Sequence, residues 1–112
     1  MTDEMEINFE ELSNDRVRNI SGHERGVEAR KKFKLDEFDA LEDSVEVVVP
    51  NTIEAIATSF FQGMFSKSVQ QFKSKDAFLE HYKFRASPSV MEQILRGIDR
   101  SLAARGGAAF KY

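Results

Sequence analysis

The chain has 112 residues, of which 16 are Lys or Arg and 19 are Asp or Glu, a formal net charge of −3, and no cysteine. That length suits one domain with a real core and is too short for two, while the missing cysteine excludes disulfides and thiolate metal sites and permits a reducing cytoplasm. The charge is divided: residues through Ile56 hold 7 basic and 15 acidic side chains, net −8, and those from Ala57 onward hold 9 and 4, net +5, a split that points to protein partners, since a nucleic-acid binder would show a basic face in a basic domain.

At the N-terminus, MTDEMEINFEE lacks a basic-then-apolar leader pattern, and no apolar run in the chain approaches the roughly 20 residues that span a bilayer. A soluble, cytoplasmic protein without membrane contact is expected. Met5, Ile7 and Phe9 alternate with Glu6, Asn8 and Glu10, the period of a strand with one wet face. Ser13, Asn14 and Asp15 supply turn chemistry and Val17 to Ile20 reads as a return strand, so a hairpin is expected. HERGVEARKKFKLDEF then reads as a helix whose apolar positions are Val27, Ala29, Phe33 and Phe38, broken near Leu35 and ending before Asp43. Arg30, Lys31, Lys32 and Lys34 read as a basic surface. The acidic group Asp36, Glu37, Asp39, Glu42 and Asp43 does not have calcium-loop spacing and reads as a solvated helix end.

The stretch VEVVVPNTIEAIATSFFQGMFSKSVQQF, Val45 to Phe72, is the one around which the rest must pack. Val45, Val47, Val48 and Val49 are β-branched and suit a buried strand, which Pro50 stops. Ile53 and Ile56 return apolar weight to the interior. From Ser59 the period changes: Phe60, Phe61, Met64, Phe65, Val69 and Phe72 form an apolar stripe on a helix of about three to four turns. Ser59 with Gln62 fits a capping box. Gly63 costs a helix about 1 kcal/mol against alanine, so close approach of this helix to the sheet is its expected use.

Farther on, Ser74 is placed to cap a short helix carrying Phe78, Leu79 and Tyr82. Tyr82 to Ala86 reads as the last strand, with Tyr82 and Phe84 inward. Ser87 followed by Pro88 starts a helix expected to run to Ala104, with Val90, Met91, Ile94, Leu95, Ile98 and Leu102 buried. Gly106 and Gly107 are expected to end it, leaving residues 1–4 and 106–112 as loose tails of a single domain spanning 1–112. The fold class is therefore α/β, a small sandwich with a four-stranded mixed sheet and helices mainly on one side. His23 and His81 are far apart, and neither a phosphate-cradling glycine loop nor a Ser-His-Asp signature is present. No catalytic residue, metal or cofactor is expected.

Three segments carry a family resemblance: RGVEARKKFKLDEF at Arg25 to Phe38, the stretch Val45 to Phe65 with IEAIATSFFQGMF, and SPSVMEQILRGI at Ser87 to Ile98. They resemble the STAS-like domain family of unknown function, relatives of the anti-sigma factor antagonists, over Arg25 to Leu102. The resemblance implies a STAS-like sandwich and a noncatalytic regulatory module that docks on a protein partner, such as a serine-kinase-like regulator, near the start of the second helix. By alignment the antagonists' aspartate and phosphorylatable serines fall on Ala57, Thr58 and Ser59, so Thr58 and Ser59 are the implied phosphorylation or partner-contact positions, with Phe60, Gln62 and Gly63 as partner surface. Val49 and Pro50 stand where the family has an aspartate, and Gln62 and Gly63 where it has an acidic pair. The alternative is a homodimer formed through an edge strand or the closing helix.

Overall fold

A computed structural model describes residues 6–13 and 19–110, with backbone alone for residue 13 and for 104–110. In chain order the elements are β1 Glu6–Asn8, α1 Glu10–Ser13, β2 Asn19–Ile20, α2 His23–Phe33, α3 Leu35–Asp39, β3 Val45–Val48, β4 Ala55–Ile56, α4 Thr58–Phe72, α5 Lys75–His81, β5 Tyr82–Arg85 and α6 Pro88–Phe110. The strands form a parallel sheet of three, ordered β1-β3-β5, and a separate parallel pair, β2-β4. This corrects the expected four-stranded mixed sheet.

The hairpin is also corrected. Asn8 Oδ1 accepts a hydrogen bond from the Glu10 amide at 2.9 Å, which turns the chain into α1 directly after Phe9. β1 therefore pairs with the valine-rich β3, placing Ile7 opposite Val47, while β2 is left to pair with β4, Ile20 opposite Ile56. A period of two identifies a strand's wet face but not its neighbour. Met5 and the residues 14–18 of that reading lie outside the described residues, as do 1–4 and 111–112 of the tails.

Across the main sheet Ile7, Val47 and Phe84 share one row. They face the helices, whereas Glu6, Lys83 and Arg85 are exposed on the opposite face, where Arg85 pairs with Glu46. The helices α2, α4 and α6 lie side by side with α4 in the middle, touching both neighbours. Phe60, Phe61, Met64, Phe65 and Val69 of α4 are buried at the centre of the core. Phe65 has its ring 5.1 Å from Phe61, 5.6 Å from Phe78 and 5.5 Å from Tyr82. Such ring pairs add about 0.5–1.5 kcal/mol each beyond the area they bury.

Helix ends follow partly from sequence. Ser74 caps α5 as expected, its hydroxyl accepting from the Ala77 amide at 3.1 Å, and Ser87 accepts from the Val90 amide at 3.3 Å before Pro88. The break near Leu35 is real: Lys34 adopts φ 57°, ψ 50°, ending α2 and starting α3. At α4 the N-cap is Ala57, with no side-chain cap, so Ser59 lies inside the helix and the Ser59–Gln62 capping box does not form. Gly106 and Gly107 do not end α6, which continues to Phe110. The flanking alanines are the strongest helix formers and offset the cost of the glycines. On α6 Val90, Ile94 and Ile98 are fully buried, and Met91, Leu95 and Leu102 are only partly so because they lie on one flank of that stripe.

Gly63 does mark a close approach, but to α2 and not to the sheet. A Cβ on Gly63 would lie 2.2 Å from the His23 carbonyl oxygen, and one on Gly26 would lie 2.2 Å from that of Phe60. Each helix presents a glycine to the other's backbone, so only two residues without side chains allow the contact.

Candidate functional site

The joined faces of α2 and α4 carry two polar regions, one closed inside the protein and one open to solvent. The closed region begins with Arg30. Gly26, Ala29 and Phe33 define the inner stripe of α2, and Arg30, four residues after Gly26, falls on it. Its guanidinium donates to the Met64 carbonyl at 3.0 Å, to Ser68 Oγ at 2.9 Å, to Asp36 Oδ1 at 2.7 Å and to Asp39 Oδ2 at 2.6 Å. Asp36 and Asp39 reach it together because α3 sets them three residues apart on one face, and Lys34's left-handed turn aims that face at α2.

Asp39 is buried among donors. Ser68 Oγ lies 2.7 Å from Oδ1 and 2.9 Å from Oδ2, and the Tyr82 hydroxyl donates to Oδ1 at 2.5 Å. Burial opposes the charge of Arg30, and the hydrogen bonds and charges of Asp36 and Asp39 outweigh it, so its pKa rises. Burial, then the hydrogen bond to Asp39, pushes the Tyr82 hydroxyl well above the ordinary tyrosine range. The Arg30 hydrogen bond, then its charge, lowers Asp36 below the usual carboxylate range. These four buried side chains, Arg30, Asp39, Ser68 and Tyr82, complete one another's hydrogen bonds. The arrangement joins α2, α3, α4 and β5 in the interior of the protein.

Two sequence expectations are overturned here. Arg30 was expected on a basic surface and Asp39 in a solvated helix end, yet they are only 9% and 7% exposed. The signal that would have found Arg30 and Ser68 is their position within apolar stripes: Ser68 follows Phe60, Phe61, Met64 and Phe65 at helical spacing. Asp39 gives no such signal, since α3 is too short for a period. His81 is also buried, and its Nε2 lies 2.7 Å from the Phe38 carbonyl oxygen, which can only accept, so that nitrogen carries the proton. His23 is exposed and belongs to the open region.

The open region is a groove of about 580 Å³ along the outer seam of α2 and α4. His23, Val27, Lys31 and Lys34 line it from one side, Gln62, Gly63, Ser66 and Lys67 from the other, with Arg30, Asp36 and Glu37 at one end. Lys67 Nζ lies 3.6 Å from Asp36, which Arg30 also holds. Among the described residues Lys31 and Lys34 form no ion pair, and the side chains of Gln62 and Ser66 form no hydrogen bond.

Of the positions singled out from sequence, Gln62 and Gly63 line this groove, while Ser59 is exposed and Thr58 half-buried in the first turn of α4. Phe60 is separated from them: at 2% exposed it belongs to the core, so it offers no partner surface. Its neighbour Phe61 is equally buried, and among the described residues Leu41 is the sole exposed large apolar side chain. Among those residues, too, no group of three His, Cys, Asp or Glu side chains is placed to hold a metal ion, and no helix is long and apolar enough to cross a membrane. The fold and site define a small α/β domain with a parallel sheet on one side and a helix layer bearing a charged groove on the other. No protein-family model, curated protein or solved structure matches this chain.

Proposed function

We propose that this domain is a noncatalytic regulatory module that docks on a protein partner through the outer face of α4, beginning at Thr58 and Ser59. The observation that carries the reading is a polar stripe at helical spacing, Ser59, Gln62 and Ser66, accessible on a helix whose other face is core. Gln62 and Ser66 have no hydrogen-bond partner within the described protein and stand free to meet one. Asp39, Ser68 and Tyr82, three groups capable of acid-base or nucleophilic chemistry, complete each other in the interior.

In the STAS-like reading the partner is a serine-kinase-like regulator in the cytoplasm, and a phosphate on Thr58 or Ser59 would reverse docking. α4 has no acidic residue in its first turn and no side-chain cap, so a negative charge there suits the helix dipole by roughly 0.3–1 kcal/mol. The same charge opposes a partner surface fitted to a neutral hydroxyl. Ser59→Asp is the test. It keeps thermal stability equal to wild type or slightly higher and weakens binding to a partner recovered from the native cell, whereas Ser59→Ala keeps both. Undiminished binding by Ser59→Asp removes Ser59 from the interface.

One observation favours a second reading, self-association: the outer edges of β1 and β5 are unpaired among the described residues. The mass of the purified protein in solution separates the two, since a tight homodimer supports the second reading.

A further inference from the structure

The charge of the groove runs against the charge of the protein. The chain is acidic, at −3 overall, yet Arg30, Lys31, Lys34 and Lys67 gather along one seam against Asp36 and Glu37. Asp36 is already held by Arg30 and Lys67, and Lys31 and Lys34 form no ion pair among the described residues, so two acids stand against four bases in the groove. Both sit on firm supports. Lys31 lies in the last turn of α2, and Lys34 occupies the left-handed position that joins α2 to α3, its amide held by the Lys31 carbonyl at 3.1 Å. Facing them, Gln62 and Ser66 offer unpaired amide and hydroxyl groups, and Gly63 keeps the floor of the seam low.

We propose that the α2–α4 groove binds an acidic peptide segment of the protein partner, with Lys31 and Lys34 meeting its carboxylates and Gln62 and Ser66 its backbone. The proposal rests on the docking reading above and deepens it. The seam from His23 to Lys34 is roughly 17 Å long at helical rise, room for about five residues of extended peptide. Charge complementarity selects the class of occupant. A nucleic acid brings a continuous row of phosphates, which Asp36 and Glu37 within the same groove would repel, whereas a peptide can place its carboxylates against Lys31 and Lys34 and neutral residues against the acids.

The test titrates the whole isotope-labelled chain with a synthetic decapeptide rich in glutamate and leucine, and in parallel with inorganic phosphate and with a single-stranded oligonucleotide. The peptide is expected to shift the amide signals of Lys31, Lys34, Gln62, Gly63 and Ser66, with affinity falling about tenfold in Lys31→Glu/Lys34→Glu. Circular dichroism of that variant is expected to match wild type, because both lysines are exposed. Peptide-induced shifts elsewhere, equal affinity in the charge-reversed variant, or tighter binding of the oligonucleotide or phosphate would each overturn the proposal. Partner binding by the two sets of variants distinguishes its failure from that of the docking reading. If Ser59→Asp abolishes binding and Lys31→Glu/Lys34→Glu does not, docking at α4 stands and the acidic-peptide groove falls.

Discussion

The inner and outer faces of α2 and α4 carry the same kinds of polar group in opposite conditions. Inside, Arg30, Asp39, Ser68 and Tyr82 are buried and every one is hydrogen-bonded to another of the set. Outside, Lys31, Lys34, Gln62 and Ser66 are accessible and have no such partners among the described residues. Burial enforces the difference, because a buried polar group left unpaired costs about 1–3 kcal/mol and more when charged, whereas water satisfies an exposed one. The interior set is therefore where the fold is held, and the outer set, left to water, is where we propose that a partner binds.

The comparison breaks most sharply at Asp39. Asp39→Ala leaves the Arg30 charge and the Ser68 and Tyr82 hydroxyls short of their acceptor, and chemical denaturation should record a loss of about 3–5 kcal/mol, near the whole stability of a small domain. A loss below about 1 kcal/mol would mean the interior set holds nothing together.

The seam that separates the two faces comes next. Gly63→Ala places a Cβ 2.2 Å from the His23 carbonyl oxygen, so α2 and α4 must move apart, at a cost of about 1–3 kcal/mol against the gain of about 1 kcal/mol that alanine offers in an isolated helix. A stabilised Gly63→Ala protein would place α2 farther from α4 than described.

Tyr82 sharpens the comparison through pH. Its folded pKa is raised by burial and by Asp39, so the hydroxyl stays neutral when folded while the unfolded chain ionises near pH 10. The stabilisation is complete below that value and is lost as pH rises through the folded pKa. Tyr82→Phe removes one donor to Asp39, about 1 kcal/mol at neutral pH. Above about pH 10 the gap between wild type and Tyr82→Phe should close by up to roughly 1.4 kcal/mol per pH unit. Parallel stability curves from neutral to alkaline pH would show that this hydroxyl ionises alike in both states.

The smallest effect belongs to the outer face. Lys31→Glu/Lys34→Glu should change stability by less than about 0.5 kcal/mol, because neither lysine has an ion pair to lose. A larger drop measured by denaturation would make these lysines part of the fold, and the contrast between the faces would disappear.

Most of the elements were legible in the sequence where a period or a cap announced them. The α4 stripe, the Ser74 and Ser87 starts, the break at Leu35 and the burial of Val47, Val49, Ile94 and Ile98 all follow from spacing and local chemistry, which act within a few residues. Gln62 and Gly63 were singled out as surface only through the family resemblance, and the lysines opposite them read only as ordinary charge. Tertiary structure alone decided which strands pair, because the same alternation in Ile7 and Phe9 serves a hairpin or a parallel sheet equally well, and the Asn8 turn into α1 chose the latter. It also decided that Gly63 meets Gly26's helix, that Asp39 goes inward while Asp36 stays out, and that Lys31 and Lys34 come to face Gln62 and Ser66. Each of these depends on contacts between residues more than twenty positions apart or on a single backbone turn, and neither leaves a period in the chain.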